Sequence, residues 1–258
     1  MTGMERLLSY YNSASPESMQ AAIVRGILKN IRRVGDLTIY DLAEICYTSP
    51  ASLSRLVRKL GYKNYAYFQK DLSDAVEKYD RHNRLVSPEQ KPEDESMPAY
   101  FFRTLEGLYE SFKGSLDMEK VDQLVEMMHR ANKVAIYSQS IYMIEFFIQS
   151  DMFMDGKICD LHQQEKDIYE HVKVLTDKDL VILVAPGAPE GFPAEKLVRL
   201  CHDSKAKVCL ITESKKSAKM SSAELSIVLP GVHMAADMFV MQLYLSVVDM
   251  TYRERYLE

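Results

Sequence analysis

Ser49, Ser52, Ser54, Arg55, Arg58, Lys59 and Lys63 crowd into one short stretch, with small hydroxyls first and cations after. Hydroxyls hydrogen-bond to base edges and phosphates, a guanidinium reads guanine bidentately, and an ammonium seeks phosphate. Such a set works only if one element displays it together. Residues 48–62, TSPASLSRLVRKLGY, supply that element. Leu53, Leu56, Val57 and Leu60 recur at i, i+3, i+4 and i+7, which buries one face of a helix. Ser49 stands at the N-cap position, and Pro50 follows where its missing N–H costs nothing. Gly61 is the C-terminal stop. The opposite face is slim near its start and cationic further on, as a major groove requires. All seven polar residues are therefore expected to contact DNA.

The preceding residues supply a partner helix. Thr38 and Asp41 form an Asp version of a capping box, and Leu42, Ala43 and Ile45 form the buried face. Cys46, Tyr47 and Thr48 leave only a short turn before Ser49. Two short helices, a tight turn and a basic second helix make a helix-turn-helix. Upstream, Ile23, Val24, Ile27, Leu28 and Ile31 repeat at helical spacing until Gly35-Asp36. The bland alternative is a helical bundle with solvated cations. Charge argues against it. Residues 25–70 hold nine Lys/Arg against three acids, a net +6 in a chain of net charge −5. A basic island on an acidic carrier suits one nucleic-acid-binding module.

These residues carry a resemblance. TIYDLAEICYTSPASLSRLVRKLGYKNYAYFQKDL is similar to the DNA-binding domain of the RpiR-type bacterial transcriptional regulators. Arg55, Arg58, Lys59, Leu60, Gly61 and Tyr62 match its R-x-x-[RK]-K-L-G-[YF] run, and Tyr65 and Phe68 fit its next helix. The resemblance covers roughly residues 5–78. It implies an operator-binding regulator of carbohydrate metabolism, with double-stranded DNA as partner. One departure stands out: Tyr47 occupies a turn position where the family usually has Gly. Either Tyr47 holds a positive φ, at about 1 kcal/mol, or the turn differs locally.

A length of 258 residues and 47% hydrophobic content allow two packed domains. Residues 87–98, SPEQKPEDESMP, hold three prolines and four acids. The reading is residues 1–80 as the helix-turn-helix domain, 81–98 as linker and 99–258 as a sensing and dimerisation domain. No apolar run is long enough for a transmembrane helix. The N-terminus lacks a basic-then-apolar signal, so a cytoplasmic protein is expected. Cys46, Cys159, Cys201 and Cys209 show no C-x-x-C pair and read as buried reduced thiols.

Beyond the linker, residues 100–130 read as helix. Five apolar runs then read as buried strands, at 133–138, 157–161, 179–186, 207–212 and 225–231. Helices fall between them, near 140–154, 163–176, 192–204 and 216–223, and a last helix covers 234–255. This alternation predicts an α/β domain, a five-stranded parallel sheet flanked by helices, with ligands beyond the strands' carboxyl ends. Order and length resemble a sugar isomerase (SIS) domain, over about residues 105–250. The resemblance implies a sugar-phosphate cradle of small residues and hydroxyls after the first and third strands. The chain departs there. It has Ser138, Ser140 and Tyr142 in place of Gly, Gly and Ser, then Ala185, Pro186, Gly187, Ala188, Pro189 and Glu190. Two prolines remove donors, and Glu190 repels a phosphate. Thr212 and Ser214 match a T-x-S element. The expected ligand-binding set is Ser138, Ser140, Gly187, Glu190, Thr212 and Ser214, with a sugar phosphate or related metabolite as effector.

Other constellations read as structural. His162 sits at a strand end, and His129, His171, His202 and His233 lack ligand spacing. Glu165 and Glu170 fit a solvated helix face. Lys215, Lys216 and Lys219 fit a solvated turn. Met127, Met128, Met234, Met238 and Met241 fit core or dimer-face filling. No catalytic residue, metal or cofactor is expected, and no membrane partner. A single helix-turn-helix makes few base contacts, so a homodimer or tetramer on a palindromic operator is expected, joined through apolar helices including 234–256. The alternatives are a sugar-phosphate isomerase-like enzyme and a ligand-free dimerising regulator.

Overall fold

Caps and stops punctuate the first helices where the residue types demand them. The computed structural model describes residues 3–77, 79, 85–138, 142–163, 165–185, 194–232 and 234–258. The chain splits into two compact units, Met1–Asn83 and Arg84–Glu258. The first contains α1 (Gly3–Ser13), α2 (Met19–Lys29), a 3-10 turn (Ile31–Asp36), α3 (Ile39–Ile45), α4 (Pro50–Lys59) and α5 (Tyr65–Glu77). The Ser18 hydroxyl accepts from the Ala21 N–H at 3.1 Å to start α2. Thr38 and Asp41 form the capping box of α3: Thr38 Oγ1 accepts from the Asp41 N–H at 3.2 Å, and Asp41 Oδ2 accepts from the Thr38 N–H at 2.9 Å. The core unites Leu7, Ile27, Leu42, Leu53, Leu56, Val57, Phe68 and Leu72. Truncating one of these, such as Leu56→Ala, costs about 2–5 kcal/mol. Helix α1 gives little periodic signal in the sequence, because Leu7 is its only large buried side chain.

Helices α3 and α4 end in the same way. After α4, the Gly61 N–H donates to Arg58 O and the Tyr62 N–H to Val57 O, with Gly61 at φ 91°. After α3, the Tyr47 N–H donates to Glu44 O and the Thr48 N–H to Ala43 O, with Tyr47 at φ 51°. Both are Schellman closures, whose left-handed residue is ordinarily glycine. Tyr47 therefore takes the positive-φ alternative, at about 1 kcal/mol.

The second unit is built on a parallel sheet of β1 (Lys133–Ser138), β2 (Ile158–His162), β3 (Leu180–Ala185), β4 (Lys207–Thr212) and β5 (Leu225–Val228), in the order β2-β1-β3-β4-β5. The flanking helices are α6 (Met97–Ser115), α7 (Met118–Arg130), α8 (Met143–Met154), α9 (Glu165–Val172), α10 (Ala194–Asp203), α11 (Lys215–Met220) and α12 (Asp237–Tyr256). Alternation along the strands splits the core in two. Val134, Ile136, Ile182 and Ile211 pack with α6, α7, α8 and α12. Tyr137, Val181, Leu183 and Leu210 pack with α9 and α10. The predicted five-stranded parallel sheet flanked by helices is what the chain forms.

Three details differ from the sequence reading. The run 100–130 is two helices, because Asp117 Oδ1 accepts from the Glu119 and Lys120 N–H groups and starts α7 afresh. The stretch 87–98 lies in the second unit, where Glu95 pairs with Arg103 at 2.8 Å and Met97 already begins α6. Helix α12 buries Val240, Met241, Tyr244, Leu245, Val248 and Tyr252 in its own unit. Its neighbour α8 is inverted: Glu145 is 1% exposed while Phe146 is 53% and Phe147 52% exposed. The Glu145 carboxylate accepts from the Tyr142 N–H at 2.9 Å, which accounts for its position. Among the described residues, no helix is long and apolar enough to cross a membrane.

Candidate functional site

Helix α4 orders its polar face from its first turn. Ser49 Oγ accepts from the Ser52 N–H at 3.2 Å and donates to Ser52 Oγ at 3.0 Å. Arg55 Nη2 donates to the same Ser52 Oγ at 3.1 Å. This bond uses one of the five guanidinium donors and holds the fork on the exposed side of the helix. Ser49, Arg55, Arg58, Lys59 and Lys63 are exposed, and Ser52 and Ser54 are half-buried. The far end is closed by Gly61 and by Arg6 Nη1, which donates to Leu60 O at 3.2 Å. A cation there complements the negative helix terminus. The result is a capped helix whose open face presents hydroxyls and guanidinium groups to solvent.

Lys59 is placed differently from its neighbours. Its ammonium donates to Gln20 Oε1 at 2.8 Å and to the Tyr10 hydroxyl at 3.1 Å, above the Tyr10 ring. It therefore ties α4 back to α1 and α2. Among the described residues, Arg58 and Lys63 have no such anchor.

The sheet supplies a second candidate region. Strand order reverses between β1 and β3, and in open α/β sheets ligands bind beyond the carboxyl ends at such a reversal. Register puts Ser138 opposite Val184 and Ala185 opposite Thr212, so Ser138 and Thr212 flank the end of β3. Both are buried. Thr212 Oγ1 accepts from the Ser214 N–H at 3.1 Å, and Ser214 Oγ accepts from the Ser217 N–H at 3.1 Å, which caps α11. The two hydroxyls matching T-x-S thus shape the turn. Ser140, Gly187 and Glu190, with Pro186 and Pro189, lie outside the described residues. Of the six expected ligand residues, the structure places Ser138, Thr212 and Ser214 at one edge.

Sequence spacing missed a polar cluster beside that edge. The Tyr137 hydroxyl and His171 Nδ1 are 2.8 Å apart, and His171 Nε2 and Asp160 Oδ2 are 3.0 Å apart. The carboxylate only accepts, so Nε2 carries the proton and Nδ1 accepts from the phenol. The His162 ring lies 4.4 Å from the His171 ring. Burial, then the neighbouring His162, pushes the His171 pKa down, against the pull of Asp160. Burial pushes the Tyr137 phenol far up. His171 is therefore neutral near pH 7 and fully engaged. The only sequence signal for this arrangement is strand alternation, which puts Asp160 and His162 on one side of β2.

The remaining candidates stay apart. Glu170 pairs with Lys173 at 2.6 Å, and Lys215, Lys216 and Lys219 are exposed on α11. His233 and the Glu165 side chain lie outside the described residues. All four cysteines are buried and unpaired, and burial pushes the Cys46 thiol up to about 11 and Cys159 and Cys201 to about 12. Among the described residues, no group of three or more His, Cys, Asp or Glu is arranged to hold a metal ion.

No protein-family model matches this sequence. No curated protein matches it either. Solved structures do. The Vibrio vulnificus NanR protein complexed with ManNAc-6P aligns over 98% of this chain and 92% of its own, with 18% identity and TM-score 0.52. The sugar isomerase domain of an RpiR transcription factor from Sphaerobacter thermophilus aligns over 63% of this chain and 95% of its own, with 17% identity and TM-score 0.51. At these identities the likeness is one of fold, and it extends over both units in the first case.

Proposed function

We propose that this protein is a DNA-binding transcriptional regulator of the RpiR type. In this reading, α3 and α4 form the helix-turn-helix, and the sheet unit senses a carbohydrate-derived metabolite. The observation that carries it is the Ser49–Ser52–Arg55 chain with Arg58 on the exposed face of a helix whose other face is wholly buried. The fold likeness to NanR across the whole chain supports it, and NanR is a protein solved with a sugar phosphate. A homodimer would set two α4 helices on half-sites about one helical turn apart. The exposed phenylalanines of α8 suit that dimer better than α12, which is spent on its own core. An effector at the end of β1 and β3 would act by preferring one spacing of the two helical units.

An aldose–ketose isomerase is the second reading, favoured by the Tyr137–His171–Asp160 chain. That chain is saturated within the fold, so the regulator is preferred. The effector pocket also departs from a phosphate cradle at Pro186, Pro189 and Glu190, so sugar monophosphates should bind weakly.

The test is selection of duplexes from a randomised pool by the full-length chain, followed by titration across salt concentrations. Enrichment of a two-fold symmetric sequence, with affinity falling steeply with salt, is expected. Failure to enrich any duplex, together with turnover of a sugar phosphate, overturns the reading. Isothermal titration with hexose and amino-sugar phosphates tests the effector. A low-micromolar Kd, lost in Ser138→Ala, would show that the ordinary phosphosugar site persists despite the loop.

A further inference from the structure

The turn between α3 and α4 displays a side chain that the helical unit itself does not use. Tyr47 is held at φ 51° by its own N–H bond to Glu44 O and by the Thr48 N–H bond to Ala43 O. Glycine adopts that conformation without strain, and tyrosine does not. The tyrosine recovers nothing through packing, since it is 99% exposed. Among the described residues its hydroxyl has no hydrogen-bond partner and its ring no aromatic or cationic one. Two bonded turns hold its backbone, so the side chain is rooted at one fixed point of the surface. It stands two residues before Ser49, where the exposed hydroxyl and guanidinium chain of α4 begins.

The chemistry of the group defines its partner. A phenol brings one neutral donor and a flat apolar ring. In a docked helix-turn-helix the second helix enters the groove while the first crosses the backbone, so the turn between them faces the groove edge. We propose that Tyr47 is a DNA-contacting residue: its hydroxyl donates to a phosphate oxygen at that edge, and its ring packs on the adjoining deoxyribose. The assignment rests on the reading of α4 as recognition helix. Because phosphate and sugar carry no sequence information, Tyr47 adds affinity for every duplex and positions the reader without specifying a base.

Lys205 supplies an internal control. It is the other described non-glycine residue at positive φ, at 67°, in a similar closure after α10. Tyr47→Gly, Tyr47→Phe and Lys205→Gly are compared in the full-length chain, against a duplex selected from a randomised pool and a mixed-sequence duplex of equal length. Tyr47→Gly and Lys205→Gly should both raise the melting temperature. Of the two glycine variants, only Tyr47→Gly should weaken binding, by about 10-fold on both duplexes. Tyr47→Phe should weaken it by about 5-fold, the loss of one hydrogen bond. Neither Tyr47 variant should change the slope of log affinity against log salt, because a neutral donor releases no counterion. Wild-type affinity in both Tyr47 variants overturns the proposal while leaving the recognition helix standing. Wild-type affinity in Tyr47→Phe alone overturns the phosphate bond. A wild-type chain that binds neither duplex overturns this proposal and the regulator reading together.

Discussion

Ser49, Ser52 and Arg55 in the helical unit, and Tyr137, His171 and Asp160 in the sheet unit, are both three-membered hydrogen-bonded chains, yet they hold their end groups differently. The first spans 3.0–3.1 Å contacts on one exposed helix face and ends in a guanidinium with donors to spare. The second joins β1, β2 and α9 and closes on itself, each proton having an acceptor inside the fold. An exposed chain contributes little to stability, because water replaces each lost bond. A half-buried one contributes more, because a deleted member strands its partners away from water. On the proposed function the exposed chain serves recognition and the half-buried one scaffolding.

The largest effect should come from removing the exposed guanidinium groups. A base-reading Arg55 is worth about 1–3 kcal/mol of specific affinity, and Arg58 on a phosphate adds affinity for every duplex. Arg55→Ala with Arg58→Ala should therefore weaken binding to a selected duplex by about 100-fold or more. The melting temperature should stay near wild type, since both residues lie off the buried face. Unchanged affinity in titration would remove the recognition-helix assignment. A large fall in melting temperature would show that the exposed chain is scaffold after all.

The converse is expected of His171→Ala. It strands the buried Tyr137 hydroxyl, while Asp160, a third exposed, keeps Lys133 at 3.6 Å, so the cost is about 1–3 kcal/mol of unfolding free energy by chemical denaturation. The pH dependence has a definite sign. Burial lowers the folded-state pKa of His171 below its ordinary 6.5. Its contribution is full above pH 6.5 and is lost as pH falls below that value, where the unfolded chain binds the proton first. His171→Ala should flatten that acid limb. A variant as stable as wild type would free the cluster from a structural role and favour the isomerase reading.

The contrast also explains what could be read from the sequence. Ser49, Pro50, the Leu53–Leu56–Val57–Leu60 stripe and Gly61 act within one helix, where spacing alone fixes which face each residue occupies. The sheet was legible because β1, β3 and β4 are continuous apolar runs buried on both faces, with the less buried β2 and β5 at its edges. The Tyr137–His171–Asp160 chain was not, because it depends on the β1–β2 register and on where α9 lands, with Tyr137 and His171 34 positions apart. The setting of Lys59 was hidden for a similar reason. Its local spacing puts it with the cations of α4, but Tyr10 and Gln20, 49 and 39 residues away, take its ammonium. The division at Asp117 was visible only as a capping residue inside an otherwise helical pattern.

A buried acid in the sheet unit gives a smaller effect of opposite sign. Burial, then the charge of Asp151, raises the Asp249 pKa from 3.8 to about 6, with Arg253 opposing. A raised carboxyl pKa means that its contribution is full below about pH 3.8 and lost as pH rises through 6. At pH 8 the folded state therefore holds an unfavourable carboxylate. Asp249→Asn should add about 1 kcal/mol at pH 8 and nothing at pH 4, as read from paired denaturation curves. An equal effect at both values would trace the change to packing rather than charge. Unlike Asp160, which faces His171 and Lys133, this acid faces a second carboxylate, Asp151, which is why neutralising it should help.

The smallest effect sharpens the boundary of the exposed face. Lys59 and Arg58 are adjacent on α4, and local spacing treats them as equivalent phosphate contacts. Their surroundings do not. Lys59 holds Gln20 and Tyr10, and leaving them for a phosphate means breaking two hydrogen bonds and a ring contact to make one new pair. Among the described residues Arg58 has no such bonds to give up. Arg58→Ala should lower the slope of log affinity against log salt by about 1, the signature of one lost phosphate contact. Lys59→Ala should leave that slope unchanged and weaken binding by no more than about 3-fold, through a slightly looser seat of α4 on α1 and α2. Equal slope changes in the two variants would mean that DNA pulls Lys59 away from Tyr10 and Gln20, and that the recognition face extends to the last turn of α4.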